Sequence, residues 1–232
     1  MIIDEIRRID FGYFIRPESE TLTGAARVES LLGYLIAHPA GYVLFDTGLG
    51  VADAETEAHY RPHRRPLAEA LRSAGAVEKD VRWVVNCHLH FDHCGGNPAF
   101  AGRPIVVQST ELASAREPGY TVSEAVDFTD ANYQVIDGEL ELLPGVWVLP
   151  TPGHTAGHQS VAVRSDDGTV VLAGQAHDTA TEFAADLRAA VARRESDDAE
   201  IPPHSAWMDR MLQFDPRLIV LAHDLSVVEP LP

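Results

Sequence analysis

Val81-Arg-Trp-Val-Val-Asn-Cys87-His88-Leu89-His90-Phe91-Asp92-His93-Cys94-Gly95-Gly96 joins an apolar run to a turn crowded with potential metal ligands. Its first half is a strand, apolar on both faces. Its second half places three histidines and an aspartate within six residues. Side chains two apart on extended backbone point the same way, so His88 and His90 can chelate one cation. Asp92 and His93 fall where the chain turns before Gly95 and Gly96, and a turn can swing both toward a second position beside the first. Imidazole with carboxylate suits Zn2+, and also Mn, Co, Ni or Fe. One histidine near a strand end is usually an ordinary polar residue; four potential ligands in this order point to a metal site.

The same pattern recurs elsewhere in the chain. His154 lies in Thr151-Pro-Gly-His154-Thr-Ala-Gly-His158, a tight loop directly after the apolar run Val146–Leu149. His223 ends another apolar run, in Leu221-Ala-His223-Asp224. Loops at strand ends are where sites are assembled. Taken alone, His223 reads as a solvated strand-end residue.

Further strand-length apolar runs are Leu31–Ala37, Tyr42–Phe45, Ile105–Val107, Gln159–Val163, Val170–Ala173 and Leu218–Ala222, each bounded by Gly, Pro, Asp or Asn. Helices are predicted over Pro66–Ala74, stopped by Gly75, and over Ser205–Phe214. Another opens at the capping box Thr179-Ala-Thr-Glu182, with Phe183, Leu187 and Val191 on one face. Hairpin-like strands come first, then strands alternating with helices. The expected fold class is α/β (α+β): two mixed sheets between helix layers, as a single domain over 1–232. Residues 114–133 and 195–204 are weakly patterned and read as loops able to cover a site.

The bulk composition narrows the function classes. A chain of 232 residues with 45% hydrophobic and 23% charged residues is ordinary for a globular protein and can bury a core without staples. Its net charge is -17, and Lys79 is its sole lysine. Such a surface disfavours nucleic acid and anionic lipid. Two cysteines, Cys87 and Cys94, make no disulfide framework and read as buried structural thiols. The stretch Met1–Arg8 carries charges within its apolar residues and lacks the character of a signal peptide, and no apolar run is long enough to span a bilayer. The expectation is a cytoplasmic protein with a small-molecule substrate, with no nucleic-acid or membrane partner. A homodimer is compatible with the sequence, which sets no oligomeric state.

Three stretches together, His88–His93, Thr151–His158 and Ala222–Asp224, resemble the metallo-β-lactamase superfamily. Within it, His88–Asn97, Pro104–Gln108, Leu143–Val146 and Pro152–Ser160 are similar to the N-acyl-homoserine lactonases, which are quorum-quenching hydrolases. The resemblance implies the αββα sandwich of that superfamily. It implies that His88, His90 and His154 hold a first metal, and that Asp92, His93 and His223 hold a second. Asp46, in Leu44-Phe-Asp46-Thr-Gly48, would orient ligands by hydrogen bonds; a plain turn aspartate is the competing reading. His158 would brace the loop of His154. Phe91 would line an acyl pocket, where a core aromatic is the alternative.

Two positions depart from the family. Its bridging aspartate is replaced by Gln175, a neutral amide with one weak carbonyl ligand. One Zn2+ should therefore bind tightly and a second less so. Three residues on, a substrate-contacting tyrosine is replaced by Asp178, which cannot polarise a carbonyl. Asp178 is expected either near substrate or metal, or at the helix N-terminus.

The implied activity is a metal-dependent hydrolase in which metal-bound hydroxide attacks a small-molecule lactone, ester or related acyl bond. Asp92 would also pass a proton to the leaving oxygen. The rivals are another hydrolytic specificity (β-lactam, thioester or phosphodiester) and a non-catalytic metal-binding member. A diiron redox member would want the full carboxylate bridge that Gln175 removes.

Overall fold

The computed structural model describes residues 5–21 and 23–230; the Met1–Asp4 part of the amino-terminal stretch lies outside them. One sheet contains β1 (Glu5–Arg16), β2 (Arg27–His38), β3 (Gly41–Phe45), β4 (His63–Arg64), β5 (Val81–Val85), β6 (Pro104–Gln108) and β7 (Asn132–Ile136), in the order β4-β1-β2-β3-β5-β6-β7. The other contains β8 (Leu140–Leu143), β9 (Val146–Pro150), β10 (Gln159–Ser165), β11 (Gly168–Leu172), β12 (Pro216–Val220) and β13 (Val227–Val228), in the order β13-β12-β11-β10-β9-β8. The α-helices are α1 (Ala54–Tyr60), α2 (Leu67–Ser73), α3 (Phe91–Cys94), α4 (Ser109–Ala115), α5 (Ala180–Glu195) and α6 (Met208–Leu212).

The period-two alternation of the strands builds four layers. Leu32, Tyr34 and Ile36 of β2 point inward and meet Val170 and Leu172 of β11 in the core between the sheets. Their neighbours Leu31 and Leu35 point outward onto Ala70 and Leu71 of α2. Val171 and Ile219 likewise face outward, onto Phe183 and Leu187 of α5 and Met208 and Met211 of α6. Full burial of a side chain such as Phe45 or Leu71 contributes about 1.5–3 kcal/mol. The capping box at Thr179 is formed, and Gly75 takes a φ of +77° after α2. The helix expected over Ser205–Phe214 is shorter, α6 alone.

Strand direction places the site. β3, β5, β6 and β7 run parallel. In the second sheet β9 and β11 are both antiparallel to β10, and β12 is parallel to β11. The carboxyl ends of β9, β11 and β12 therefore share one edge. The strand β2 of the first sheet meets that edge, since Leu32 N–H donates to the Ala222 carbonyl at 2.9 Å and the Tyr34 hydroxyl to that of Leu221 at 2.9 Å.

The backbone after β3 lies along α3. Thr47 N–H donates to the His93 carbonyl at 2.8 Å, Gly50 N–H to that of Phe91 at 3.1 Å, and Gly95 N–H to that of Gly48 at 2.9 Å. A Cβ on Gly95 would lie 1.7 Å from Gly50 N and 2.3 Å from Gly50 Cα, both backbone atoms. Gly95→Ala is therefore expected to cost about 1–3 kcal/mol or more by overpacking and to displace Asp92 and His93. A thermal melt with metal analysis checks this, and an unshifted Tm with full metal retention would contradict it.

Candidate metal centre

Each candidate ligand leaves the end of a strand. His88 and His90 follow β5, Asp92 and His93 sit on α3, His154 follows β9, Gln175 follows β11 and His223 follows β12. His88 Nε2 lies 2.9 Å from His90 Nδ1, which lies 3.2 Å from His154 Nε2. Ligand nitrogens about 2.0–2.1 Å from a tetrahedral Zn2+ sit about 3.3 Å apart, so this spacing fits one cation. Beside them, His93 Nε2 is 3.1 Å from His223 Nε2, and Asp92 Oδ2 is 3.5 Å and 3.4 Å from the two. Both sets, His88/His90/His154 and Asp92/His93/His223, converge closely enough to hold a metal. Gln175 Oε1 faces the second set, 3.1 Å from His93 Nε2.

The far sides of the rings are held from behind, which fixes the tautomer that presents the other nitrogen. His93 Nδ1 bonds Asp46 Oδ2 at 3.0 Å, and His223 Nδ1 donates to the Ser30 carbonyl at 2.8 Å. Asp46 Oδ1 accepts from Cys87 N–H at 2.8 Å, and Asp46 itself is left-handed, with φ 64°. Cys87 Sγ sits 3.1 Å from His88 Nδ1 and 3.2 Å from His93 Nδ1, beneath both sets, and both cysteines are buried and free. His158 Nε2 accepts the Gln175 backbone N–H at 3.1 Å while Nδ1 bonds Thr151, so His158 ties its loop to Gln175. Gln175 Nε2 donates to Asp178 Oδ1 at 3.0 Å.

Burial pushes His88 and His158 well below the ordinary imidazole value, reinforced by neighbouring histidines. Burial likewise lowers His90 and His223 against the pull of Asp92. His154, the most exposed of them, is lowered to about 4 by desolvation and by His90 and His93. For His93 burial is outweighed by Asp92 and Asp46, which raise it to about 9. Neutral imidazoles are the form that binds a metal.

A cleft of about 940 Å³ opens above these groups. His90, Asp92, His154 and Gln175 form its floor, and Phe14, Tyr60, Phe91 and Val122 its apolar walls. Gly119–Glu124, within the weakly patterned 114–133 stretch, line it. The 195–204 stretch supplies no lining residue; its Ile201 and Pro202 carbonyls accept from Arg193 of α5.

Residues without a pattern in the sequence complete the surroundings. Glu111, fully buried on α4, accepts from Leu89 N–H at 2.8 Å, Thr155 Oγ1 at 2.7 Å and the Tyr120 hydroxyl at 2.5 Å. It joins the loops of His90 and His154 to the cleft wall. By sequence it is only an acid in a first helical turn. Arg16, on the cleft wall, holds buried Glu29 by two bonds of 2.6 Å and 2.8 Å. His38, which belongs to no sequence motif, is buried and accepts the Ala40 N–H at 3.1 Å across the β2–β3 turn. His177 and His204 are half-buried and pair with Asp186 and Asp209.

The family model of the metallo-beta-lactamase superfamily matches residues 32–223, and the chain belongs to that superfamily. An N-acyl homoserine lactonase of a Bacillus species is 32% identical over 163 residues, 65% of this chain and 65% of its own. The chain thus spans just under two thirds of the length of that relative. Among solved structures, an N-acyl homoserine lactone hydrolase with N-hexanoyl-L-homoserine bound at its catalytic metal center has a TM-score of 0.76 and 26% identity, covering 97% of this chain and 95% of that one. A B. thuringiensis AiiA mutant with N-decanoyl-L-homoserine at its active site has a TM-score of 0.77 and 25% identity over the same shares. The two facing mixed sheets with outer helices are the fold of this superfamily.

Two outcomes follow. His90→Ala should abolish most metal retention while far-ultraviolet circular dichroism is preserved, because the core does not depend on a metal. Elemental analysis checks this; unchanged stoichiometry sinks the site. In the chelated protein, the five lowered histidines bind protons in the unfolded chain first, so stability falls as pH drops from 6.5 toward His154's value of about 4. His93 acts oppositely, its contribution being complete below 6.5 and lost as pH rises through about 9. The Tm should therefore peak near 6.5 and drop more steeply on the acid side, where a flat calorimetric profile would contradict the assignment.

Proposed function

We propose that this chain is a metal-dependent hydrolase of a small-molecule lactone, ester or related acyl bond, of the N-acyl-homoserine lactonase type. The observation that carries the reading is the convergence of His88 Nε2, His90 Nδ1 and His154 Nε2 beside Asp92, His93 and His223 on the floor of an apolar-walled cleft. The lactonase relatives and the product-bound structures support the substrate class. Zn2+ is the proposed ion, one held tightly and one less so, with Mn, Co, Ni or Fe as alternatives at similar geometry. The proposal treats 1–232 as one domain, since inward residues of both sheets form a common core. It places the protein in the cytoplasm, supported by the free cysteines. Among the described residues, no helix is long and apolar enough to cross a membrane.

The chemistry supplied by divalent cations at these ligands is Lewis acidity, which polarises an acyl carbonyl and makes water nucleophilic at neutral pH. Phe14, Tyr60 and Phe91 bind the apolar part of the substrate and exclude water from it. Asp92 turns Oδ2 toward His93 and His223, leaving Oδ1 to take the proton lost by water. As the acyl carbon–oxygen bond breaks, Asp92 returns that proton to the leaving alkoxide, giving an alcohol and a carboxylic acid, which releases its remaining proton to solvent at neutral pH.

Asp178 offers no hydroxyl to polarise the carbonyl, and of the tyrosines lining the cleft, Tyr120 donates to Glu111 and Tyr60 to Glu20. Activated esters and strained lactones should therefore turn over faster than ordinary homoserine lactones. A chromogenic ester and lactone panel tests both points. Hydrolysis lost on chelation and restored by Zn2+ is expected. Metal retained without any turnover, β-lactam, thioester and phosphodiester substrates included, would make the chain a binder. Fast hydrolysis of long-chain homoserine lactones alone would show that the tyrosine is dispensable here.

A further inference from the structure

Gln175 and Asp178, the two departures from the family pattern, are bonded to each other. We propose that Asp178 is a positioning residue that supplies, through the Gln175 amide, the negative charge the amide itself lacks at the second cation site. The inference rests on the metal-centre reading above.

The geometry has three parts. Gln175 is buried and its backbone is pinned by His158, so only the side-chain amide is left to orient. An amide has chemically opposite ends, one accepting and one donating. Asp178 Oδ1, an acceptor when ionised, lies 3.0 Å from Gln175 Nε2, so the NH2 end is committed to it. The carbonyl end then faces the other way, 3.1 Å from His93 Nε2 and toward the Asp92/His93/His223 set. Without that acceptor the amide could present its NH2 group to a cation, which repels it.

The second part is electronic. A carboxylate bonded to the NH2 end polarises the amide and enriches Oε1 in electron density, since bonds in series strengthen one another in a low-dielectric interior. The charge of a bridging carboxylate is moved one hydrogen bond back rather than discarded. The third part is the outer support. Arg27 Nη2 lies 3.9 Å from Asp178 Oδ2 and also binds Glu29, which Arg16 holds from the other side. Arg27 thus stands beside Asp178 without bonding it, its own charge largely answered by Glu29.

The test is a Zn2+ titration of the chelated chain by calorimetry, in the parent, Asp178→Asn, Gln175→Asp and the double variant. The parent should show one tight and one weaker site. Asp178→Asn should weaken the second site by about 10–100-fold, the range for residues that orient metal ligands, and leave the first within about threefold. In the Gln175→Asp background, whose second site should be tighter, Asp178→Asn should change affinity by less than about threefold, because no amide remains to be oriented. Asp178→Ala repeats the comparison with no amide at 178, and circular dichroism verifies folding of every variant. Equal weakening in both backgrounds would reduce Asp178 to a distant charge and overturn the pairing. So would an unchanged second site in Asp178→Asn. Failure of the parent to take up any Zn2+ would instead overturn the metal centre, and the pairing with it.

Discussion

The carboxylate of Asp46 accepts from two directions, the Cys87 backbone N–H at 2.8 Å and His93 Nδ1 at 3.0 Å. To reach both, Asp46 adopts a left-handed backbone, which costs a non-glycine residue about 1–3 kcal/mol. That expense fixes the end of β3 against the end of β5 and aims His93 Nε2 into the site. The residues that follow then bond to α3 strand-fashion, and the glycines at 50, 95 and 96 allow the two backbones to touch. Asp92 and His93 are therefore positioned by backbone, not by rotamer choice on a free loop.

The interior so built is electrostatically unlike the rest of the molecule. The chain carries a net charge of -17, yet the cleft floor sets the lowered imidazoles of His90 and His154 and the neutral amide of Gln175 around a single carboxylate, Asp92. Lone pairs face one another at about 3 Å with few protons to share, which is unfavourable in a buried site unless a cation lies between them. Carboxylates enter sparingly and at defined points: Asp92 among the nitrogens, Asp46 behind His93, Glu111 beneath the loops of His90 and His154, and Asp178 behind Gln175.

How much could be read in advance follows from where each residue's signal lies. The strands flanking the site were legible because buried parallel strands are apolar on both faces, as in Val81–Val85 and Gly168–Leu172. The candidate ligands were legible because they share one local pattern, a histidine just past such a strand. β1 was not, because charged residues interrupt it and a register shift between Asp10 and Tyr13, at Gly12, breaks its alternation. β7 and β8 were missed as half-exposed edge strands with weak contrast between faces. Glu111 had no local signal at all, since its partners Leu89, Tyr120 and Thr155 are set by tertiary contact. The Gln175–Asp178 bond lay between those extremes: both positions stood out, and their contact did not.

That the candidate ligands are shared between the two sheets has a kinetic side. His88 to His93 come from one sheet, while His154, Gln175 and His223 come from the other, which the chain completes only near its end. No subset confined to one sheet forms either cluster of three. The loops to be closed before the clusters exist span much of the sequence, and such long-range closures come late in folding. A metal ion has nothing preformed to nucleate on in the early chain; it enters a sandwich already docked and then acts as a clasp across it, slowing the separation of the sheets more than it hastens their meeting.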